Sequence, residues 1–318
     1  MTLKKHTLTR KDNNPHYALQ LIDRLGLYST IFTNPISKDQ IIPSTDDWVR
    51  AYNCLYEMKL DESMKRVFDI LVRTDEEEYL AWFLVTLTPW STLPLYSDDK
   101  PKGSKGASPR GTLAAREGVK ATTRMCDLVT GTFEHYDTIS DLKNAILKDD
   151  AWVYERDTVG MGIRRWDAKG GHWRLQMLFA LLVESMQNGD GGKHLVFRNS
   201  HATINQTGLD YRSLIAGWER CLDHLERIDI MNAPDAKRPL DGTELAALLG
   251  TRPGKWMAAA LDVAMAWQFR NPGETSPSGA VREVEGRWEE LGIPPRSSSP
   301  KAPDRSVPSK KAKTSHQS

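Results

Sequence analysis

The chain is poor in cysteine. Its three, Cys54, Cys126 and Cys221, are odd in number and widely spaced. No Cys-x-x-Cys pair occurs, so neither a disulfide framework nor a zinc ribbon is indicated, and a reducing compartment is expected. The eight histidines are scattered; His194 and His201 lie near glycines but lack the spacing that puts two ligands on one helix face. No metal site is expected from them. No apolar run approaches the roughly 20 residues that a membrane helix needs. The opening MTLKKHTLTRKDNNP has no apolar core, which excludes a secretory signal. With one acid before Asn13, it leaves a mitochondrial presequence open beside a cytoplasmic or nuclear location. Net charge is lacking too: 43 Lys and Arg meet 42 Asp and Glu, for +1. Any polyanion must then be met by local patches.

Strand patterning is the last absence. No alternating run of useful length occurs; VFRNS near 196 is the best candidate, and it is short. What is present is helical, and the fold class expected is all-α. YALQLIDRLGL (17–27) places Leu19, Ile22 and Leu25 at helical spacing, with Gly26 suited to the position after the C-cap. Ser44, Thr45, Asp46 and Asp47 can cap a helix through WVRAYNCLYEM. Further helices are expected at about 61–72, 76–87, 112–130, 138–148, 171–187 and 210–228, the last with Leu214, Trp218, Leu222 and Leu225 on one face. With 39% hydrophobic and 27% charged residues, the chain suits one large or two modest soluble domains.

Two segments break this pattern. SDDKPKGSKGASPRG (97–111) reads as a mobile polar insertion. The end, from about 293 to 318, is rich in Pro and Ser and is expected to be disordered. From Arg296 it has six Lys or Arg against one Asp, and PSKKAKT suits either a nuclear-import or RNA-contacting patch or a solubilising tail.

One junction concentrates glycine, proline and charge. In PLDGTELAALLGTRPGKW (239–256), Asp241 or Thr243 can cap a short helix and Gly250 can end it. Pro253 then suits the first turn of a second helix, whose face is Trp256, Ala260, Val263, Ala264 and Trp267 and which Asn271-Pro272 closes. Arg252, Gly254 and Lys255 at such a helix start can form a phosphate nest. From the letters alone an ordinary turn is the stronger reading.

The stretch PLDGTELAALLGTRPGKWMAAALDVAMAWQFRNPGET resembles the tail of the class II CCA-adding tRNA nucleotidyltransferases, within the tRNA nucleotidyltransferase/poly(A) polymerase family. That tail reads Asp-Gly, a helix, Lys-Pro-Gly-Pro-Trp, then a helix ending near Asn-Pro. Here Arg252 stands for the usual lysine and Lys255 for the second proline. NNPHYALQLIDRLGLYSTIFTNP resembles the helix that opens the family's body. LAAREGVKATTRMCDLV and GMGIRRWDAKGGHWRLQMLFALL are similar to later body segments. The matches run in family order from about 13 to 285.

The resemblance implies a helical body (13–232) and a small helical tail (233–292), like the C-terminal region of poly(A) polymerases, that grip the acceptor and TΨC arms of tRNA. It implies recognition by shape and phosphates, as A-form RNA requires. Arg164 and Arg165 are then phosphate-contact candidates beside the alternative of surface ion pairs, and Lys237 and Arg238 are weaker ones. The family's catalytic head carries Gly-Gly-x-Val-Arg-Asp and Asp-x-Asp, which hold Mg²⁺ for transfer from CTP or ATP. Neither motif occurs here, nor do the neck's nucleotide-pairing elements, and residues 1–12 match nothing in the family. ERIDI (226–230) has no preceding glycine loop, EEE (76–78) is an acidic first helical turn, and NGDGGKH (188–194) lacks Walker spacing. The expectation is therefore a tRNA-binding body and tail that hold no catalytic residue, metal or nucleotide and are inactive alone. The alternatives are a helical scaffold that binds a protein, and the non-catalytic half of a split enzyme with a separate head chain.

Overall fold

The computed structural model describes residues 14–35, 41–96, 107–187 and 211–296. Among these, thirteen α-helices, several short 3-10 turns and one π turn (Ala114–Gly118) account for the regular structure, and pairing is limited to one isolated bridge, Tyr96 with Pro109. The fold is all-α. VFRNS, NGDGGKH, His194 and His201 lie outside the described residues. The chain divides into two compact units, 1–236 and 237–318.

The first unit, the body, is organised around α9 (Trp173–Gln187). Nearly every α9 side chain is buried, from Trp173 through Met186. A helix apolar on all sides must be covered on all sides. The cover is α3 (Trp48–Leu60), α4 (Glu62–Leu71), α5 (Asp75–Val85), α7 (Thr123–Lys148), α8 (Arg156–Asp167) and α10 (Tyr211–Arg227). On α10, Trp218, Leu222 and Leu225 of the expected face are buried, while Leu214 is only half-buried and Ile215 takes the core position beside it. The acidic start of α5 is capped by Thr74, whose hydroxyl accepts from Glu77 N at 3.1 Å.

Several local expectations are corrected. The helix before Gly26 is α1 (Pro15–Arg24); Gly26 does take φ +63, but Leu25 is 59% exposed, not part of the core face. The α3 N-terminus has no side-chain cap: Asp47 sits at the cap position and pairs with Arg50, while the Ser44 hydroxyl donates to Asp46. The helix read at 112–130 is divided, with short helical turns over 110–118 and a new start at Thr123, and from there α7 runs unbroken through the helix read at 138–148. Gly131 within it lets α9 approach, since a Cβ there would stand 3.0 Å from Gln176 Nε2. The stretch 97–111 is not wholly a polar insertion. Pro109 bridges Tyr96, and Arg110 starts a short helix, α6 (Arg110–Leu113), with 8% exposure.

The second unit, the tail, packs α11 (Gly242–Leu249), α12 (Met257–Arg270) and α13 (Ser278–Gly286). Its core joins Leu245, Leu249, Trp256, Ala260, Ala264, Val284 and Ile293. Gly279 is where the α13 backbone meets the Trp267 ring, with no room for a Cβ. Residues 293–296, read as the start of a disordered end, are packed: Ile293 is 5% exposed, Pro294 O accepts from the Thr251 hydroxyl, and Arg296 pairs with Glu285.

Candidate nucleic-acid interface

The 239–256 junction takes its shape from two caps. Asp241 Oδ1 accepts from Glu244 N at 2.8 Å and starts α11. Gly250, at φ +64, ends it, and Thr251 N donates back to Ala246 O at 3.1 Å. The Thr251 hydroxyl is tied to Pro294, so the turn is fixed at its first residue. Arg252, Pro253, Gly254 and Lys255 then run exposed. Pro253 is not in the first turn of the next helix, which begins only at Met257. The delay follows from Trp256: its ring is buried, and its indole N–H returns to Arg252 O at 3.1 Å, closing a loop of five residues.

Met257 joins the two helix starts. Its sulfur accepts the Gly254 N–H at 3.3 Å, and its methyl fills the space beside Gly242 where a Cβ would stand 2.2 Å away. The Gly254 N–H expected in a phosphate nest is thus held by a weak acceptor. Lys237 and Arg238, also exposed, enter α11 from its other side. Lys237 and Arg238 before α11 and Arg252 and Lys255 after it are all exposed, and none forms an ion pair among the described residues. Elsewhere in the tail three arginines are matched, Arg270 and Arg287 with Glu283 and Arg296 with Glu285, while Arg282 meets only the Ser278 carbonyl.

In the body the pattern reverses. Arg164 donates from Nη1 to Ala233 O (2.7 Å), Pro234 O (3.2 Å) and Ala236 O (2.8 Å). Arg156 donates to Ile228 O and Asp229 O, and Arg174 to Met231 O and Ile70 O. Three arginines thus clamp the segment 228–236. Its carbonyls need them because α10 has ended, Asp229 is left-handed at φ +53, and only a short 3-10 turn follows. Arg164 therefore has a structural task, which corrects its reading as a phosphate ligand. The clamp was missed because nothing in an isolated arginine's sequence context shows which carbonyls will lack partners. Arg165, its neighbour, is exposed.

The remaining reactive groups are quiet. Burial pushes the Cys221 thiol up to about 12 and raises Cys54 further still, so neither is a nucleophile at neutral pH. Among the described residues no group of three or more His, Cys, Asp or Glu is placed to hold a metal ion. The carboxylates of Glu219, Asp223 and Glu226 on α10 converge, but the Arg66 guanidinium of α4 fills the space between them. These residues do not fit Mg²⁺. Asp229 of ERIDI is bound to Arg156 at 3.5 Å. No described helix is long and apolar enough to cross a membrane.

No family model matches the chain, and no solved structure matches it. Curated sequences do. "Nucleotidyltransferase lcsQ" of Purpureocillium lilacinum is 38% identical over 295 residues, covering 87% of this chain and 49% of the relative. The tRNA nucleotidyltransferases cca1 and cca2 of Schizosaccharomyces pombe are each 22% identical, over 83% and 89% of this chain and 48% and 50% of their own length. The chain spans about half the length of the curated relatives it matches, and those homologues are nucleotidyltransferases.

Proposed function

We propose that this chain is the RNA-gripping helical part of a nucleotidyltransferase that acts at the tRNA 3′ end, adding CCA from CTP and ATP in its complete form. The supporting observation is the unmatched charge that flanks α11 on both sides. Lys237, Arg238, Arg252 and Lys255 remain solvated in a tail whose other cations include three paired with glutamates. Solvated cations are available to phosphates at little cost, because no ion pair has to be broken. In this reading Gly254 keeps the backbone low between Arg252 and Lys255, and Arg165 adds a contact on the body. The bound element is the acceptor–TΨC arm, met through phosphates and shape.

By its own residues the chain is not catalytic. It lacks the Gly-Gly-x-Val-Arg-Asp and Asp-x-Asp carboxylates, and Mg²⁺ and nucleotide belong to the remainder of the family enzyme. Filter binding of an acceptor–TΨC minihelix, repeated across a salt series, tests the grip. Binding that weakens steeply with salt is expected; no binding at low salt sinks the reading. The pure chain, given labelled CTP, Mg²⁺ and the minihelix, is expected to incorporate nothing.

A further inference from the structure

The loop that carries Arg252 and Lys255 is tied at both ends, and the two ties differ in reach. From the far end the Trp256 indole N–H returns to Arg252 O at 3.1 Å, and the Gly254 N–H meets the Met257 sulfur at 3.3 Å. Both bonds join residues close in the chain, so they need nothing beyond the loop and the start of α12. At the near end the Thr251 hydroxyl donates to Pro294 O at 3.1 Å, 43 residues along the chain. A strap delivers that carbonyl. After α13, Gly292 turns the chain at φ +63, and Ile293 N returns to Trp288 O at 3.1 Å. The Ile293 side chain joins the core that also holds Leu249 and Trp256. Arg296 then pairs with Glu285 at 2.8 Å and lies over the Trp288 ring, its Cγ 4.0 Å from where a Cβ on Gly250 would stand. Residues 293–296 thus cross the end of α11 from outside.

We propose that Thr251 is a positioning residue for phosphate binding: its bond to the strap holds Arg252 and Lys255 in the arrangement in which they meet RNA. The inference rests on the RNA reading above. Three observations support it. The hydroxyl is not needed to end α11, because Gly250 at φ +64 and the bond from Thr251 N to Ala246 O already do so. Burial does not demand the bond either: Pro294 is exposed, so water can serve its carbonyl in the absence of Thr251. What the bond does is fix the residue before Arg252, whose own carbonyl is fixed by Trp256. The Arg252 backbone is then held from both sides. Nothing else steadies these cations, since neither forms an ion pair among the described residues and Gly254 between them has the widest backbone freedom. A loop free to move would lose that freedom on meeting RNA, which weakens binding; a loop held beforehand loses little.

The test compares two variants of the full chain. Thr251→Val keeps the side-chain shape and removes the hydroxyl; Thr251→Ser keeps the hydroxyl. The first readout needs no RNA. Backbone amide order parameters of Arg252, Gly254 and Lys255, measured by NMR, should be about 0.85 in the unaltered chain, fall below about 0.6 in Thr251→Val and recover in Thr251→Ser. The second is filter binding of the acceptor–TΨC minihelix across a salt series. Thr251→Val should bind about fivefold more weakly, with the salt dependence flattened by about one phosphate contact, and Thr251→Ser should bind as the unaltered chain does. A loop that stays ordered in Thr251→Val overturns the proposal. So does a loosened loop with unchanged binding, or a lost affinity that Thr251→Ser does not restore. A lower melting temperature with order and binding intact makes Thr251 structural alone and overturns it too. The two readings fail separately. If the unaltered chain binds no minihelix, the RNA grip is lost and the role of Thr251 with it; firm binding indifferent to residue 251 removes only that role.

Discussion

The arginines that hold the end of the body and the cations that flank α11 in the tail are used in opposite ways. In the body, Arg156, Arg164 and Arg174 are spent on backbone carbonyls of 228–236, Arg66 on three carboxylates, and the buried Lys143 on Glu184. In the tail, Lys237, Arg238, Arg252 and Lys255 stand in solvent at the two ends of α11. An arginine holding carbonyls stabilises the fold and is lost to a ligand; a solvated one contributes little to stability and stays available. Two chemically identical side chains thus predict opposite phenotypes, and mutation can separate them.

The largest effect is expected where no cation is exchanged at all. Trp218→Ala removes a ring that is 1% exposed and its bond to Glu184, and should cost the body about 3–5 kcal/mol in calorimetry or urea melts. Next comes Lys143→Met, which removes the ammonium from Glu184 and leaves the Trp218 indole still donating to that carboxylate. About 1–3 kcal/mol is expected, and partial rescue by Glu184→Gln in the same chain would show that the lost charge pairing was the cause. Arg164→Ala leaves three carbonyls without their donor and should cost about 1–3 kcal/mol, with minihelix affinity changed little. A large affinity loss at unchanged stability would return Arg164 to the RNA surface and break the comparison.

Arg252→Ala with Lys255→Ala is the converse. Stability should move by no more than about 0.5 kcal/mol, and the salt dependence of minihelix binding should flatten by about two phosphate contacts. A fallen melting temperature with intact binding would make the junction an ordinary turn. The smallest effect concerns pH. Burial holds His16 below its usual 6.5 despite the Asn53 bond that opposes it. The unfolded chain therefore takes up the proton first as pH falls. The stability from neutral His16 is complete above about 6.5 and is lost between that value and the lower folded one. His16→Gln should remove this slope from stability measured across the same range.

Much of the fold was legible because helix periodicity and caps are local. Gly26 and Gly250 read as left-handed stops and are so, and Asp241 reads as a cap and is one. A glycine or proline shows that the backbone does something special, but not what: Pro253, read as the first turn of a helix, lies in a loop set by the Trp256 indole. The site was legible to a lesser degree. Arg252 and Lys255 are exposed as a surface role needs, yet Arg164 and Arg165, adjacent in sequence, were divided by a carbonyl cluster some 70 residues away.

Sequence by itself determined that this protein is helical, where most helices lie, and that its charge must act in patches, because propensity, period and composition are properties of neighbouring letters. Only tertiary structure decided which cations remain free and which side of α1 is left uncovered. Pairing depends on which distant carbonyls and carboxylates arrive within about 3 Å, and burial depends on which helix face meets another. Neither distance is written in the order of residues.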